Sequence, residues 1–262
     1  MSSSNPAFSR DLFAGYEQVY GASHARSATT TVQGTIGKTA ILLAILSATA
    51  IWAWNATGSG TLPPALLGIS AIGGFIVAMI TMFKPTAAPV TAPIYAALEG
   101  IFLGALSQVV ETAVGNRKFH GVAMHGIAFQ AVILTCGVLF VMLFAYQTRL
   151  IRVTEKLRSG IMVATGAVCL FYFVTMLMSF FGAHVPLIFS SSPWGIGFSL
   201  LVVGLAAFNL LLDFDFIEQA AYYGAPKYME WYGAFGLMVT LIWLYLEILR
   251  LLMKLAGAQR EE

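Results

Sequence analysis

Charge is what this chain has least of. Its 262 residues carry 14 Lys and Arg and 12 Asp and Glu, which is 10% charged with a net charge of +2. A soluble domain devotes roughly 25% of its residues to charge, because its surface must be solvated. Here 58% of the residues are hydrophobic and the mean hydropathy is +0.80, so most of the surface must face lipid. The charge is too thin and too dispersed for a phosphate-binding footprint, which excludes a nucleic-acid-binding protein. Cysteine is equally scarce. Cys136 and Cys169 each lie inside an apolar stretch and form no C-x-x-C metal spacing, so both are read as small buried apolar residues. With four histidines there is no H-E-x-x-H pattern and no Ser-His arrangement at helix spacing. The chain is not expected to be an enzyme or to hold a tightly bound cofactor.

What the chain has in excess is long apolar runs. A membrane-spanning helix needs about 20 predominantly apolar residues. Seven runs qualify, near residues 39–54 (to 57 at most), 65–83, 90–114, 122–146, 160–182, 195–217 and 232–253. Turn-forming residues separate them, among them Asn55 to Gly60 before Pro63-Pro64, and Ser190-Ser191-Ser192-Pro193. The expected fold is all-α, a polytopic integral membrane protein of about seven helices. It divides into a polar tail over residues 1–37, a membrane domain over 38–256 and a short tail over 257–262. The first tail lacks the basic segment and apolar core of a cleavable signal peptide, so the first span is expected to drive insertion. Basic residues set the orientation. Arg10, Arg26, Lys38, Lys84, Arg149, Arg152, Lys156, Arg158 and Lys227 fall on one side; Arg117, Lys118, Arg250, Lys254 and Arg260 fall on the other. This favours a cytoplasmic N-terminus, with the C-terminus outside unless the last segment is re-entrant.

Ionisable residues at bilayer depth are functional suspects, because each costs several kcal/mol unless paired or wet. Glu99 borders a stripe of small residues, Gly100, Gly104 and Ser107, which permits close approach of a neighbouring helix; it is either part of an ion path or a hydrogen-bonded structural group. Asp213 and Asp215 end the sixth run. Two residues apart is about 200° on a helix, so they face different sides. Asp213 shares a strip with Asn209, Ala206 and Gly204 and is expected to face the bundle interior. Asp215 shares its side with Glu218 and lies nearer the interface; the plainer alternative for both is a pair of interfacial carboxylates. Glu247 in the seventh run either pairs with Arg250 at i+3 or faces an acidic residue of the preceding helix, in which case the two carboxyls titrate as a unit. His125 and Gln130 are read as satisfied polar residues near a span end. Phe171, Tyr172, Phe173, Met176 and Met178 are read as packing.

Four stretches together resemble the Bax inhibitor-1 family, also called the transmembrane Bax inhibitor motif family, in its bacterial branch. They are residues 98–107 (Leu98-Glu99-Gly100 to Ser107), residues 212–218 around Asp213, and residues 226–232 (Pro226 to Tyr232) with 244–248 around Glu247. The resemblance covers most of the chain from the first span onward. It implies six helices packed around a central seventh and a pH-sensitive calcium leak channel with a carboxylate pair on the last two helices as proton sensor. Carried over by position, the pair is Asp213 and Glu247, which would also form a weak, transient calcium site. The cation that latches the pore is Lys84. The chain departs from the pattern in having Glu at 247 where the family has Asp, and Lys at 84 where better-studied members have Arg, which removes a bidentate fork. Its loop over residues 218–231 is also longer, so Asp215 stands as the alternative to Asp213 in the sensor and ion pathway. Some bacterial relatives restrain a membrane-embedded AAA protease, which would make the N-terminal tail the working part; a proton-coupled cation exchanger is a further alternative. The expected location is a bacterial inner membrane, and the expected partners are the bilayer, calcium and protons.

Overall fold

The computed structural model describes residues 29–115, 118–119, 122–123, 126–182 and 192–258. Most of the N-terminal tail, the loop around Pro186, His125 and the last residues of the C-terminal tail lie outside the described residues. The described chain forms seven long helices: α1 (Val32–Gly58), α2 (Pro64–Phe83), α3 (Ala88–Gly115), α4 (Ile127–Gln147), α5 (Glu155–Phe180), α6 (Pro193–Tyr222) and α7 (Met229–Ala258). A 3-10 turn (Pro85–Ala87) joins α2 to α3. All seven helices are long and apolar enough to cross a membrane. In hydrocarbon this is the expected solution, because a helix satisfies its own backbone polar groups.

Hydroxyl side chains start three of the helices. Thr31, Thr154 and Ser192 accept hydrogen bonds from the N–H groups of Gly34 (2.9 Å), Leu157 (3.2 Å) and Gly195 (3.2 Å), each satisfying a donor that the first turn leaves free. The caps explain where the structure departs from the expected boundaries. Helix α1 begins at Val32, within the stretch expected to be tail, because Thr31 caps it despite the polar residues that follow. Helix α4 starts at Ile127 and not at 122, because Val122–Ala123 pairs with Lys118–Phe119 in a two-residue antiparallel ribbon and Gly126 then turns the chain at φ 83°. Helix α6 continues past Ile217 to Tyr222 and α7 begins at Met229, so the connection expected over residues 218–231 narrows to 223–228.

Helix α7 is the axis of the bundle. Of its apolar window 61% is buried, against 11% for α1 and for α5. Its Ala234, Phe235, Met238, Leu241, Leu244, Ile248 and Leu249 join the core with Leu103 of α3, Ala131 of α4 and Leu210, Leu211 and Phe214 of α6. Helix α2 is peripheral and packs mainly on α3. The start of α7 lies beside the start of α1, where Thr29 and Pro226 form a β-bridge and the Thr30 N–H donates to the Ala225 carbonyl (2.7 Å). Near its far end the Lys254 Nζ donates to the carbonyl of Gly195, at the start of α6 (2.8 Å). The last helix therefore runs the length of the bundle in the same sense as α1 and is not re-entrant. The two ends of the described chain lie at opposite ends of the bundle.

The glycine stripe of α3 meets α1 more closely than side chains allow. A Cβ on Gly104 would lie 2.1 Å from the Ala50 carbonyl oxygen, and one on Gly100 would lie 2.0 Å from Thr49 Oγ1 and 2.4 Å from the Leu46 carbonyl oxygen. Backbone contact of this kind is how membrane helices gain packing energy without a hydrophobic drive between them. Ser107, expected on the same stripe, instead meets the hydroxyl of Tyr245 on α7 at 2.6 Å. Substituting Gly104 by Val should force α1 and α3 apart and cost about 1–3 kcal/mol, a typical overpacking penalty. It should lower the thermal unfolding midpoint in detergent, whereas Gly37→Ala, which meets nothing within 4 Å, should leave it unchanged.

Candidate functional site

The carboxylates cluster at successive levels along the bundle axis, and each level has a different solution to the problem of charge in a dry interior. At the end where α1 begins, Glu230 is fully buried. Its Oε1 accepts from the Thr31 N–H (3.0 Å), the Thr31 hydroxyl (2.9 Å) and Lys227 Nζ (2.8 Å), and Lys38 Nζ stands 3.8 Å from Oε2. A Cβ on Gly34 would sit 1.9 Å from Oε1, so only glycine admits the carboxylate against the first turn of α1. A negative group there also meets the positive end of the helix dipole.

Midway along the bundle, Asp213 faces α7, on a different side of α6 from Asp215. A Cβ on Gly236 would lie 4.0 Å from Asp213 Oδ1, and Thr240, the next hydroxyl along α7, donates back to the Gly236 carbonyl (3.3 Å). Its Oδ2 is buried with no hydrogen-bond partner among the described residues. Buried polar atoms are nearly always paired, so an orphan of this kind calls for an explanation. Asn209, expected on the same strip, turns instead to α5, where its Nδ2 donates to Thr165 Oγ1 (2.8 Å).

Farther along, Glu247 is buried and fully engaged. Arg250 Nη1 is 2.8 Å from both of its oxygens. The Tyr172 hydroxyl approaches Oε1 and Oε2 at 3.0 and 3.2 Å, and the Trp243 indole N–H donates at 3.3 Å. The Arg250 guanidinium also stacks over the Tyr172 ring at 5.0 Å, a cation–π contact. The i+3 pairing with Arg250 is thus the one that forms. The structure does not bring Glu247 and Asp213 together: Thr240, the neighbour of Asp213, lies two turns of α7 away, about 10 Å at the rise of an α-helix.

The remaining expected residues fall elsewhere. Glu99 is half-buried on α3 and packs against Gly74 of α2, where a Cβ would lie 2.7 Å from its Oε1. It makes no hydrogen bond among the described residues. Asp215 points away from Asp213, to an ion pair with Arg158 of α5 and a 2.7 Å bond from Gln219 Nε2. Lys84 is exposed at the C-terminus of α2 and makes no ion pair among the described residues. Cys136 and Cys169, expected to be buried, are exposed on the outer faces of α4 and α5, because these helices turn their apolar sides to lipid. Gln130 is also exposed. No cluster of His, Cys, Asp and Glu able to hold a metal occurs among the described residues.

Sequence reasoning missed three participants. Glu230 entered only as part of a motif, although its i−3 spacing from Lys227 was readable. Tyr172 was read as packing, and nothing local signals that its hydroxyl reaches α7. Glu111 caps α4 across a turn, accepting from the N–H groups of Gly126 and Ala128.

A family model described as Bax inhibitor 1 like matches residues 5–257. No curated protein and no solved structure matches the chain.

Removing one partner of a buried ion pair leaves the other uncompensated, at about 3–5 kcal/mol. Arg250→Met alone should therefore destabilise the bundle by that amount, while Arg250→Met with Glu247→Gln should recover most of the loss. The check is a double-mutant cycle on unfolding in detergent.

Proposed function

The chain belongs to the Bax inhibitor 1-like family, and on that footing we propose that it is a proton-sensitive calcium leak across the membrane, with Asp213 as the group that binds the proton. The observation that carries this reading is the carboxyl oxygen of Asp213, buried midway along the bundle without a hydrogen-bond partner. A site of this kind has a reason to take up a proton or meet a passing cation, and a packed bundle has two arrangements for such a change to bias.

Calcium takes oxygen ligands, carboxylates among them, and conduction requires that it be held weakly. The oxygens of Glu247 are engaged by Arg250, Tyr172 and Trp243. Asp213 and Glu99 are accordingly the better candidates for transient contact with the ion. Glu247 acts in this reading as the second member of the sensor, coupled to Asp213 through α7 and not by contact. Lys84, exposed at the end of α2, is the proposed gate cation. Protonation of Asp213 removes its charge and changes how α6 holds α7 at Gly236 and Thr240.

Liposomes holding the purified protein should take up calcium at a rate that depends on pH. Asp213→Asn should make the flux insensitive to pH, and Glu247→Gln should shift or flatten the profile. Flux no greater than that of empty liposomes at every pH would overturn the channel reading.

A further inference from the structure

Helices α1 and α4 stand apart at the end of the bundle where α1 begins. Between them, floored by α6 and α7, lies a groove of about 920 Å³. Its walls are apolar, with Ile36 and Leu43 on one side and Phe140 and Leu143 on the other, and Ile36 and Phe140 are 55% and 68% exposed. The groove therefore opens sideways, toward the space that the bilayer fills. Protein interiors close voids far smaller than this, so a gap of such size in a membrane bundle is filled from outside.

Its mouth carries two arginines beside two carboxylates, Asp215 and Glu218. Arg149 and Arg152 line it, both exposed, and neither makes an ion pair among the described residues. Asp215 is paired with Arg158, and Glu218 keeps its charge while accepting a hydrogen bond from the Tyr146 hydroxyl, so the arginines of the mouth outnumber its unpaired carboxylates two to one. Arg149 is held there at a conformational cost. It has φ 54°, while its N–H donates to the Tyr146 carbonyl (3.0 Å) and the N–H of Leu150 to the Ala145 carbonyl (3.0 Å). This is the helix-ending geometry in which glycine is the usual residue. A non-glycine in this conformation points to a use for its side chain.

We propose that the groove between α1 and α4 binds an anionic phospholipid of the leaflet at that end, with acyl chain along the apolar walls and headgroup phosphate between Arg149 and Arg152. Basic pockets between transmembrane helices bind anionic lipid headgroups by this chemistry, and each basic residue near the surface contributes about a fivefold preference. The bound lipid would fill the seam that α1 and α4 leave open.

The test is native mass spectrometry of the full-length protein with added phosphatidylglycerol or phosphatidylcholine of matched chains. Phosphatidylglycerol should be retained about 25-fold more strongly if both arginines contribute. The double variant Arg149→Gln/Arg152→Gln should lose that preference, while Lys156→Gln, which removes an exposed charge outside the groove, should keep it. Ala40→Trp, placed on the exposed wall of the groove, should reduce retention of both lipids, and inorganic phosphate alone should displace neither. Equal retention of the two lipids would overturn the proposal. So would undiminished preference in the double variant, displacement by phosphate, or a cross-link placing residues 1–28 in the groove.

Discussion

A carboxylate inside a membrane bundle must be paired, neutral or wet, and the arrangement of α7 follows from that constraint. The helix is the most enclosed in the molecule, yet it carries Glu230 and Glu247 and packs against Asp213. Glu247 is satisfied on its own helix by Arg250 and from α5 by Tyr172. Glu230 is held at Oε1 by Thr31 and by the residue that precedes α7 by two positions, Lys227, with Lys38 Nζ 3.8 Å from Oε2. These polar contacts fix the rotation of α7 about its axis, which apolar packing alone would specify weakly because Leu, Ile and Met tolerate repacking. Asp213 differs in having no cation beside it among the described residues: an acidic group at the centre of the bundle, with one oxygen buried and without a hydrogen-bond partner.

The approach of α1 to α3 is the second anchor. Gly100 and Gly104 bring the two backbones within contact, and α1 in turn presents Gly34 and Thr31 to Glu230. The glycine stripe and the carboxylate clamp thus hold the same helix at two levels, one midway along it against α3 and one at its first turn against the start of α7. Helix α1 is well fixed at these two levels even though little of it is buried. The face that remains uncommitted is the one that turns toward α4.

Span number and position were legible because lipid imposes a composition over about 20 residues that no loop imitates. The stripe around Gly100 was legible because small residues at helical spacing have few other uses in a span. The opposed facing of Asp213 and Asp215 followed from the 100° step of the helix. What could not be read was which partner each carboxylate takes. Arg250 at i+3 and an acidic neighbour on α6 were equally compatible with the sequence at Glu247, and only the rotation of α7 decides between them. The start of α1 was misplaced because Gln33 and Lys38 look like tail, whereas the cap at Thr31 and the distant Glu230 make the segment helical. Contacts across 199 positions of sequence leave no local trace.

The clamp at Glu230 also has a consequence for how the chain is made. Its hydrogen bond to the Thr31 amide joins positions 199 apart, and the adjacent bridge joins Thr29 to Pro226. A growing chain emerges from its N-terminus, so α1 enters the bilayer long before residue 230 has been synthesised. Until then Thr31 has its own hydroxyl cap but no carboxylate, and α1 and α3 can dock while the bundle still lacks its axis. Closure of the bundle is therefore an end-of-synthesis event: the last helix docks against the six before it, and the first turn of α1 is locked only when α7 arrives.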